Sequence, residues 1–129
     1  MSHGSDAPTS LADFQYHRTV PSSPAFLLRI VEGARVLLYR HNAGGAAELV
    51  PTRMDLFKYP GGLGWGYGGS GAVNLSYAMA AKASELDTEA PAEITRRAQL
   101  VLEHVVSLPS LDSDSEHDLS VEAVKALFT

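Results

Sequence analysis

The sequence predicts an α+β fold. A small antiparallel sheet of four to five short strands in the N-terminal half is packed by two to three helices from the C-terminal half. Two observations lead to this prediction: short apolar runs between glycine-containing turns come first, and apolar residues at helical spacing follow from about residue 70. Strands followed by helices are typical of α+β domains rather than doubly wound parallel sheets.

Length and composition fit one globular domain without covalent cross-links. The chain has 129 residues, of which 45% are hydrophobic and 19% charged, and it has no cysteine. No apolar run approaches the roughly 20 residues of a membrane-spanning helix, and the first residues lack the pattern of a secretory signal. We therefore expect a soluble, cytoplasmic protein that has no disulfides and is not associated with a membrane.

The charge balance disfavours nucleic acid as a partner. The formal net charge is −5 and the pI about 5.4, whereas phosphate backbones are bound through clustered Lys and Arg. We expect a protein partner or self-association, and a small anionic ligand is the alternative.

The composition of residues 1 to 24 predicts an N-terminal arm that is either flexible or docked. The stretch is rich in Ser, Pro, Thr and Asp, and segments at chain termini with few apolar groups rarely form core elements. Its sizeable apolar residues are Leu11, Phe14, Tyr16 and Val20. They would dock the arm on the domain or on a neighbouring subunit. Residues 25 to 129 then form a single α+β domain.

The first two strands are predicted at Phe26–Val31 and Arg35–Tyr39, separated by a short turn that contains Gly33. The side chains expected to face the core are those of Leu28, Ile30, Val36 and Leu38. Two further short extended segments are predicted at Ala47–Val50 and Asp55–Tyr59.

Seven of the eleven glycines lie between Gly61 and Gly71. From residue 62 to 68 they alternate with larger side chains, and side chains of a strand change face at every residue. This pattern predicts a strand with one bare face, because glycine inside a strand marks a close approach by another group.

Three helices are predicted after this segment. The first covers Ala72–Glu85, is capped by Ser70 or Gly69, and carries an apolar stripe that includes Leu86. The second begins at Pro91 and is ended by Pro109; its apolar face is formed by Ile94, Ala98, Val101, Val105 and Leu108. The third is capped by Ser120, and Leu119 and Val124 form a hydrophobic staple.

The turn into the first helix is the candidate ligand site. Free backbone N–H groups at a helix start favour a phosphate or a carboxylate. Aromatic side chains would wall this pocket and an amide would add directional hydrogen bonds; the residues are Trp65, Tyr67, Gly69, Ser70, Gly71, Asn74 and Tyr77. The alternative is structural: the glycines permit close packing, Trp65 and Tyr67 fill the core, and a helix cap explains Ser70.

Catalytic and metal-binding patterns are weak. The spacing G-x-G-x-x-G occurs twice, but no parallel strand with a terminal acid follows, and no Lys completes a phosphate-binding loop. A nucleophile elbow at Ser70 would need a larger parallel sheet, although Asp87 with His104, or Asp112 with His117, follow in a suitable order. The histidines are scattered, and the acidic residues 112 to 118 read as a solvated loop. The sequence predicts no catalytic residue, metal or cofactor, and enzymatic activity is left undecided with a preference for none.

The segment Trp65-Gly66-Tyr67-Gly68-Gly69-Ser70-Gly71 resembles the core signature W-G-Y-G-G-S-G-P of a small domain family of unknown function from bacteria, archaea and phages. A Leu-Pro pair and a final helix introduced by Leu-Ser add to the likeness, which covers roughly residues 26 to 128. Ala72 replaces the family's usual proline. The resemblance implies a compact domain often encoded by phages or other mobile elements, and it implies no established activity.

These observations favour a non-catalytic binding or interaction domain, because no nucleophile, base and acid have a convincing spacing. The resemblance adds an expected link to mobile elements. The alternative is a protein that binds, or acts on, a phosphorylated or nucleotide-like small molecule at the glycine-rich turn. A further alternative is a structural subunit that uses its N-terminal arm for assembly.

Overall fold

The computed structural model describes residues 24–129, which form a four-stranded antiparallel sheet and three helices. The α+β prediction is confirmed. The predicted arm lies outside the described residues, apart from Pro24. The strands are β1 (Ala25–Val31), β2 (Ala34–Arg40), β3 (Glu48–Leu49) and β4 (His117–Ser120), in the spatial order β3-β2-β1-β4.

The β1–β2 hairpin has a two-residue loop. Glu32 and Gly33 both have positive φ, 51° and 84°, as the two central residues of a type I′ turn require. This turn is favoured in two-residue hairpins because its twist matches that of the flanking strands. The loop pairs Leu28 with Leu37 and Leu27 with Leu38. The two strands therefore begin and end within one residue of their predicted bounds.

The sheet has an inner face that packs against the helices and an outer face. Phe26, Leu28 and Leu37 belong to the core cluster on the inner face. The prediction that Val36 and Leu38 face this core is wrong, because pairing places them beside Arg29 and Leu27 on the outer face. Both faces of β2 carry apolar residues, so alternation could not select the register that the turn imposes.

Two predicted strands are absent and one strand was missed. Within residues 24–129, Asp55–Tyr59 contains turns instead of a strand, and residues 62 to 68 form an irregular loop. The fourth strand is β4, which pairs with β1; its first two residues lie in the predicted solvated loop, and its last two were predicted as the staple and cap of the last helix. Its four residues carry a single buried apolar side chain, Leu119, which is too little for a strand pattern in the sequence.

The first helix, α1 (Ser70–Ser84), crosses the middle of the domain. Eleven of its fifteen residues are buried, and most are Ala, Ser or Gly. A helix that is buried around most of its circumference lacks a polar face, and small side chains let neighbouring elements approach it. Leu86 lies beyond the end of the helix and is fully exposed, so its predicted place on the apolar stripe is wrong.

The second helix, α2 (Pro91–Val101), continues into one π-helical turn at Leu102–Val106. The predicted face is confirmed for Ile94, Ala98 and Val101, which are buried. The π turn inserts an extra residue, so that Val105 and Val106 are both buried. At the end of this turn the Val106 carbonyl accepts a hydrogen bond from the Gly66 N–H.

The last helix, α3 (Val121–Ala126), has the predicted cap. The Ser120 hydroxyl accepts a hydrogen bond of 3.1 Å from the Ala123 N–H, and Leu119 and Val124 are fully buried. In α1, by contrast, Gly69 occupies the N-cap position and no side chain caps the helix.

We therefore expect different outcomes for two serine substitutions. Ser120→Ala should lower the free energy of unfolding by about 0.5–2 kcal/mol, the usual range for a lost cap. Ser70→Ala, on an exposed side chain with no capping bond, should change it by less than about 0.5 kcal/mol. Urea unfolding followed by circular dichroism measures both, and equal losses would contradict the assignment of the caps.

Candidate functional site

The glycine-rich segment is a loop that folds back on the start of α1. Gly62 and Gly66 have φ values of 94° and 86°, a region that side chains other than glycine disfavour. The Gly64 N–H donates to the Gly71 carbonyl at 3.0 Å, and the Gly66 N–H donates to the Val106 carbonyl at 2.7 Å. The backbone of the loop is therefore fixed by α1 on one side and by the π turn on the other.

Trp65 anchors this loop from beneath. The residue is fully buried, and its indole N–H lies 3.1 Å from the carbonyl oxygens of both Asp112 and Ser115. The Arg35 guanidinium carbon lies 5.5 Å from the ring centroid, within the range of a cation–π interaction. The Trp65 ring thus ties the loop to residues 112–115 and presents no surface to a ligand.

Tyr67 covers the outside of the loop. Its side chain is 48% exposed, and its ring lies where side chains at Gly64, Gly69 and Gly71 would otherwise stand. The absence of side chains at these three positions leaves room for the Tyr67 side chain beside the backbone of the loop. Tyr67 therefore occupies part of the space in front of the first turn of α1.

Asn74 connects α1 to the glycine-rich segment. Its amide nitrogen donates to the Gly62 carbonyl at 2.8 Å, while its carbonyl oxygen is buried and has no hydrogen-bond partner among the described residues. Buried polar atoms are nearly always paired with protein or water. The side-chain carbonyl oxygen of Asn74 can therefore accept one further hydrogen bond.

The structure brings together five of the seven predicted site residues: Tyr67, Gly69, Ser70, Gly71 and Asn74. Trp65 is adjacent but buried. Tyr77 lies two helical turns further along α1, where its ring stacks on Phe57 at 5.6 Å and its hydroxyl lies 3.3 Å from the Thr95 hydroxyl.

Asp112 and His117, two residues of the hydrolase alternative, stabilise a loop. The Asp112 carboxylate accepts hydrogen bonds from the Ser115 hydroxyl and the Asp114 N–H, and these bonds lower its pKa. His117 contacts the Asp112 backbone carbonyl instead of its carboxylate. In residues 24–129, no three His, Asp or Glu side chains are placed to hold a metal ion.

A groove runs along the C-terminal half of α1, away from the glycine-rich loop. It lies between this helix and the segment from β3 to Leu56. It consists of two adjoining cavities of about 340 and 430 Å³, which share Arg53, Ala81 and Glu85. Apolar groups line part of it: Leu49, Val50, Pro51, Leu56, Ala78, Ala81 and Ile94.

Lys82 organises the charges at one end of this groove. Its ammonium lies 2.8 Å from Glu48 and 2.9 Å from Glu85, and 4.8 Å from the centre of the Tyr39 ring. Burial opposes the charged form of Lys82, but the hydrogen bonds to both glutamates outweigh it and raise the lysine pKa. The bond from Lys82 lowers the pKa of Glu48.

Arg53, which lines both cavities, is paired in a similar way. Its guanidinium makes two hydrogen bonds to Asp55, of 2.9 and 2.8 Å, and this pairing lowers the pKa of Asp55. Both cations of the groove are therefore engaged by its own carboxylates. The lining as a whole carries four carboxylates, Glu48, Asp55, Glu85 and Glu89, against two cations, which leaves a net charge of −2.

Compared with models of protein families, with curated proteins and with solved structures, the chain has no match. The resemblance of the W-G-Y-G-G-S-G segment to a known domain family stays a prediction. Among the helices of residues 24–129, none combines the length and the apolar character needed to cross a bilayer.

Our sequence analysis did not identify the groove. Lys82 and Glu85 are an ordinary i,i+3 pair on a helix, and such pairs usually stabilise a solvated surface. Glu48 and Arg53 come from a segment without periodicity. The sequence predicted an extended segment at Ala47–Val50, but its pairing with β2, which places Glu48 near α1, could not be predicted from so short a strand.

Proposed function

We propose that this chain is a non-catalytic interaction domain whose groove beside α1 binds a basic segment of a partner protein. The observation that carries the proposal is the groove itself: two adjoining cavities that are lined in part by apolar groups and that together carry an unbalanced negative charge. The glycine-rich loop then serves as the framework that positions α1.

The dimensions of the groove support a binding role. Ligand sites are commonly concave, about 300–1,000 Å³ in volume, and lined by apolar groups with a few polar ones that fix orientation. Each cavity falls in this range. The lining includes no His, Cys or Ser, and Thr88 is its one hydroxyl residue, so it offers no activated nucleophile of the usual kind.

The charge distribution supports a cationic partner. Glu85 and Glu89 both line the second cavity, and Glu89 makes no ion pair within 4 Å among the described residues. Complementary charges speed association and select partners more than they raise affinity. A Lys- or Arg-bearing segment would place its alkyl stems on the apolar lining and its charges at these carboxylates.

Neutralising the groove should weaken the binding of a basic peptide. We expect Glu85→Gln/Glu89→Gln to raise the Kd of a blocked peptide of alternating Lys and Ala by about 2- to 30-fold, because each lost exposed ion pair is worth about 0.2–1 kcal/mol. Isothermal titration calorimetry at low salt measures the change.

The matched control is Glu32→Gln/Glu103→Gln, which removes the same charge from two exposed positions outside the groove. This variant should keep the Kd within about twofold. Equal weakening in both variants would mean that only the overall net charge attracts the peptide. No binding to the unmodified chain at millimolar peptide would reject a basic partner.

A second candidate function is the binding of a small anion at the start of α1. The specific observation in its favour is a helix start that no side chain caps, where backbone N–H groups favour an anion. A phosphorylated ligand at about 100 times its Kd should stabilise the fold by roughly 2.7 kcal/mol. Thermal melting with and without sugar phosphates and nucleotides tests this, and an unchanged melting temperature would exclude those ligands.

A further inference from the structure

The outer face of the sheet carries an apolar row across three strands. Leu27 pairs with Leu38, and Leu38 pairs with Leu49, so that the three side chains lie side by side. Ala25 and Val36 extend this patch along β1 and β2. Beside it, Arg29 and Asp118 form an ion pair at 2.7 Å.

This outer row is separate from the main core. The helices pack in a cluster with Phe26, Leu28 and Leu37, to which neither Ala25 nor Leu27 belongs. Even so, Ala25 is 2% and Leu27 3% exposed, whereas Leu49, at the edge of the row, is 65% exposed. The low exposure of Ala25 and Leu27 on β1 and the high exposure of Leu49 on β3 indicate that the outer face is covered over β1 and open at β3.

We propose that the chain's own N-terminal segment, residues 1–23, packs across the outer face of the sheet. This segment joins the domain at Pro24, directly before Ala25 on that face. It therefore enters from the side on which the outer row is buried. The proposal concerns a different surface from the groove and does not depend on the function proposed for it.

The segment has the reach and the chemistry for this position. Leu11 lies thirteen residues before Pro24, a distance that an extended chain spans with about 45 Å, whereas a seven-residue strand such as β1 is about 24 Å long. Its four large apolar side chains, Leu11, Phe14, Tyr16 and Val20, would be exposed together if nothing received them. Removing both apolar surfaces from water is favourable in proportion to the area buried.

Paramagnetic labelling of the full chain tests the proposal. Because the chain has no cysteine, Leu49→Cys introduces a single thiol for a nitroxide on the outer face. Gln99→Cys provides a control label on an exposed position of α2. We expect the label at position 49 to cause loss of the amide NMR signals of residues 11–20, and the label at position 99 to leave them unchanged.

A mixed sample identifies the source of any effect. Nitroxide-labelled chains without ¹⁵N are combined with unlabelled ¹⁵N chains, and the signals of residues 11–20 should then persist. Their loss in the mixed sample would show that a second copy covers the face and would overturn the proposal. Equal intensities with the label at 49 and at 99 would also overturn it.

Substitution of the apolar residues supplies an independent check. Phe14→Ser/Tyr16→Ser should restore the signals that the label at position 49 removes. The control Thr9→Ser/Thr19→Ser, which keeps the apolar side chains, should not restore them. Persistence of the signal loss in the Phe14/Tyr16 variant would show that these side chains do not hold the segment.

Discussion

Gly66→Ala should lower the free energy of unfolding by about 2–5 kcal/mol. The φ of Gly66 is 86°, and a side chain in this region costs roughly 1–2 kcal/mol. An added Cβ would also stand 2.5 Å from the Leu111 carbonyl oxygen and 3.0 Å from the Ser113 nitrogen. Both are backbone atoms, so the loop of residues 111–113 must move, which adds about 1–3 kcal/mol. Guanidinium unfolding monitored by circular dichroism measures the loss.

Substitutions at two other glycines separate the cost of the positive φ from the cost of the close backbone contact. Gly62 also has a positive φ of 94°, but an added Cβ there would meet nothing within 4 Å, so Gly62→Ala should lose only about 1–2 kcal/mol. Gly68 has neither constraint, and Gly68→Ala should be nearly neutral. A Gly66 variant no less stable than the Gly62 variant would contradict the close contact of the loop with residues 111–113.

Trp65→Ala should destabilise the fold by about 3–5 kcal/mol, the usual cost of removing a large buried aromatic side chain. Trp65→Phe keeps most of the packing but leaves the Asp112 and Ser115 carbonyls without the indole donor, which should cost about 1–3 kcal/mol. Circular dichroism is the appropriate probe, because Trp65 is the single tryptophan of the chain.

Tyr67→Ala provides the comparison for Trp65. Tyr67 lies two residues further along the same loop but is half exposed, so its loss should cost clearly less than that of Trp65. Destabilisation of equal size by the two alanine variants would mean that Trp65 is not the anchor of the loop.

The sequence predicted the elements that have one strong local pattern. The β1–β2 hairpin, the Pro91 helix and the Ser120 cap each combine a turn or cap signal with a consistent apolar spacing. The alternation of glycines from 62 to 68 does not distinguish a strand from a loop, because glycine also adopts the positive φ that this loop requires. The role of this segment depends on the π turn at Leu102–Val106, which the regular spacing in the sequence does not reveal.

In the candidate site, too, the sequence predicted what is local and missed what depends on contacts between separate segments. The sequence identified Tyr67, Gly69, Ser70, Gly71 and Asn74 as neighbours, because they share one turn. It could not identify the groove, whose walls come from α1 and from residues 48–56. The ion pair between Lys82 on α1 and Glu48 on β3 exists only through the contact between these separate segments.

The measurement that tests the central claim most directly is a chemical-shift map of the full chain. Amide signals are recorded by ¹H–¹⁵N NMR while the Lys-Ala peptide is added, with a Glu-Ala peptide as the control. The account predicts shifts confined to residues 48–56 and 78–94, with the Lys-Ala peptide only. Shifts centred on residues 66–74, or equal shifts with both peptides, would contradict the assignment of the groove beside α1 as the binding site.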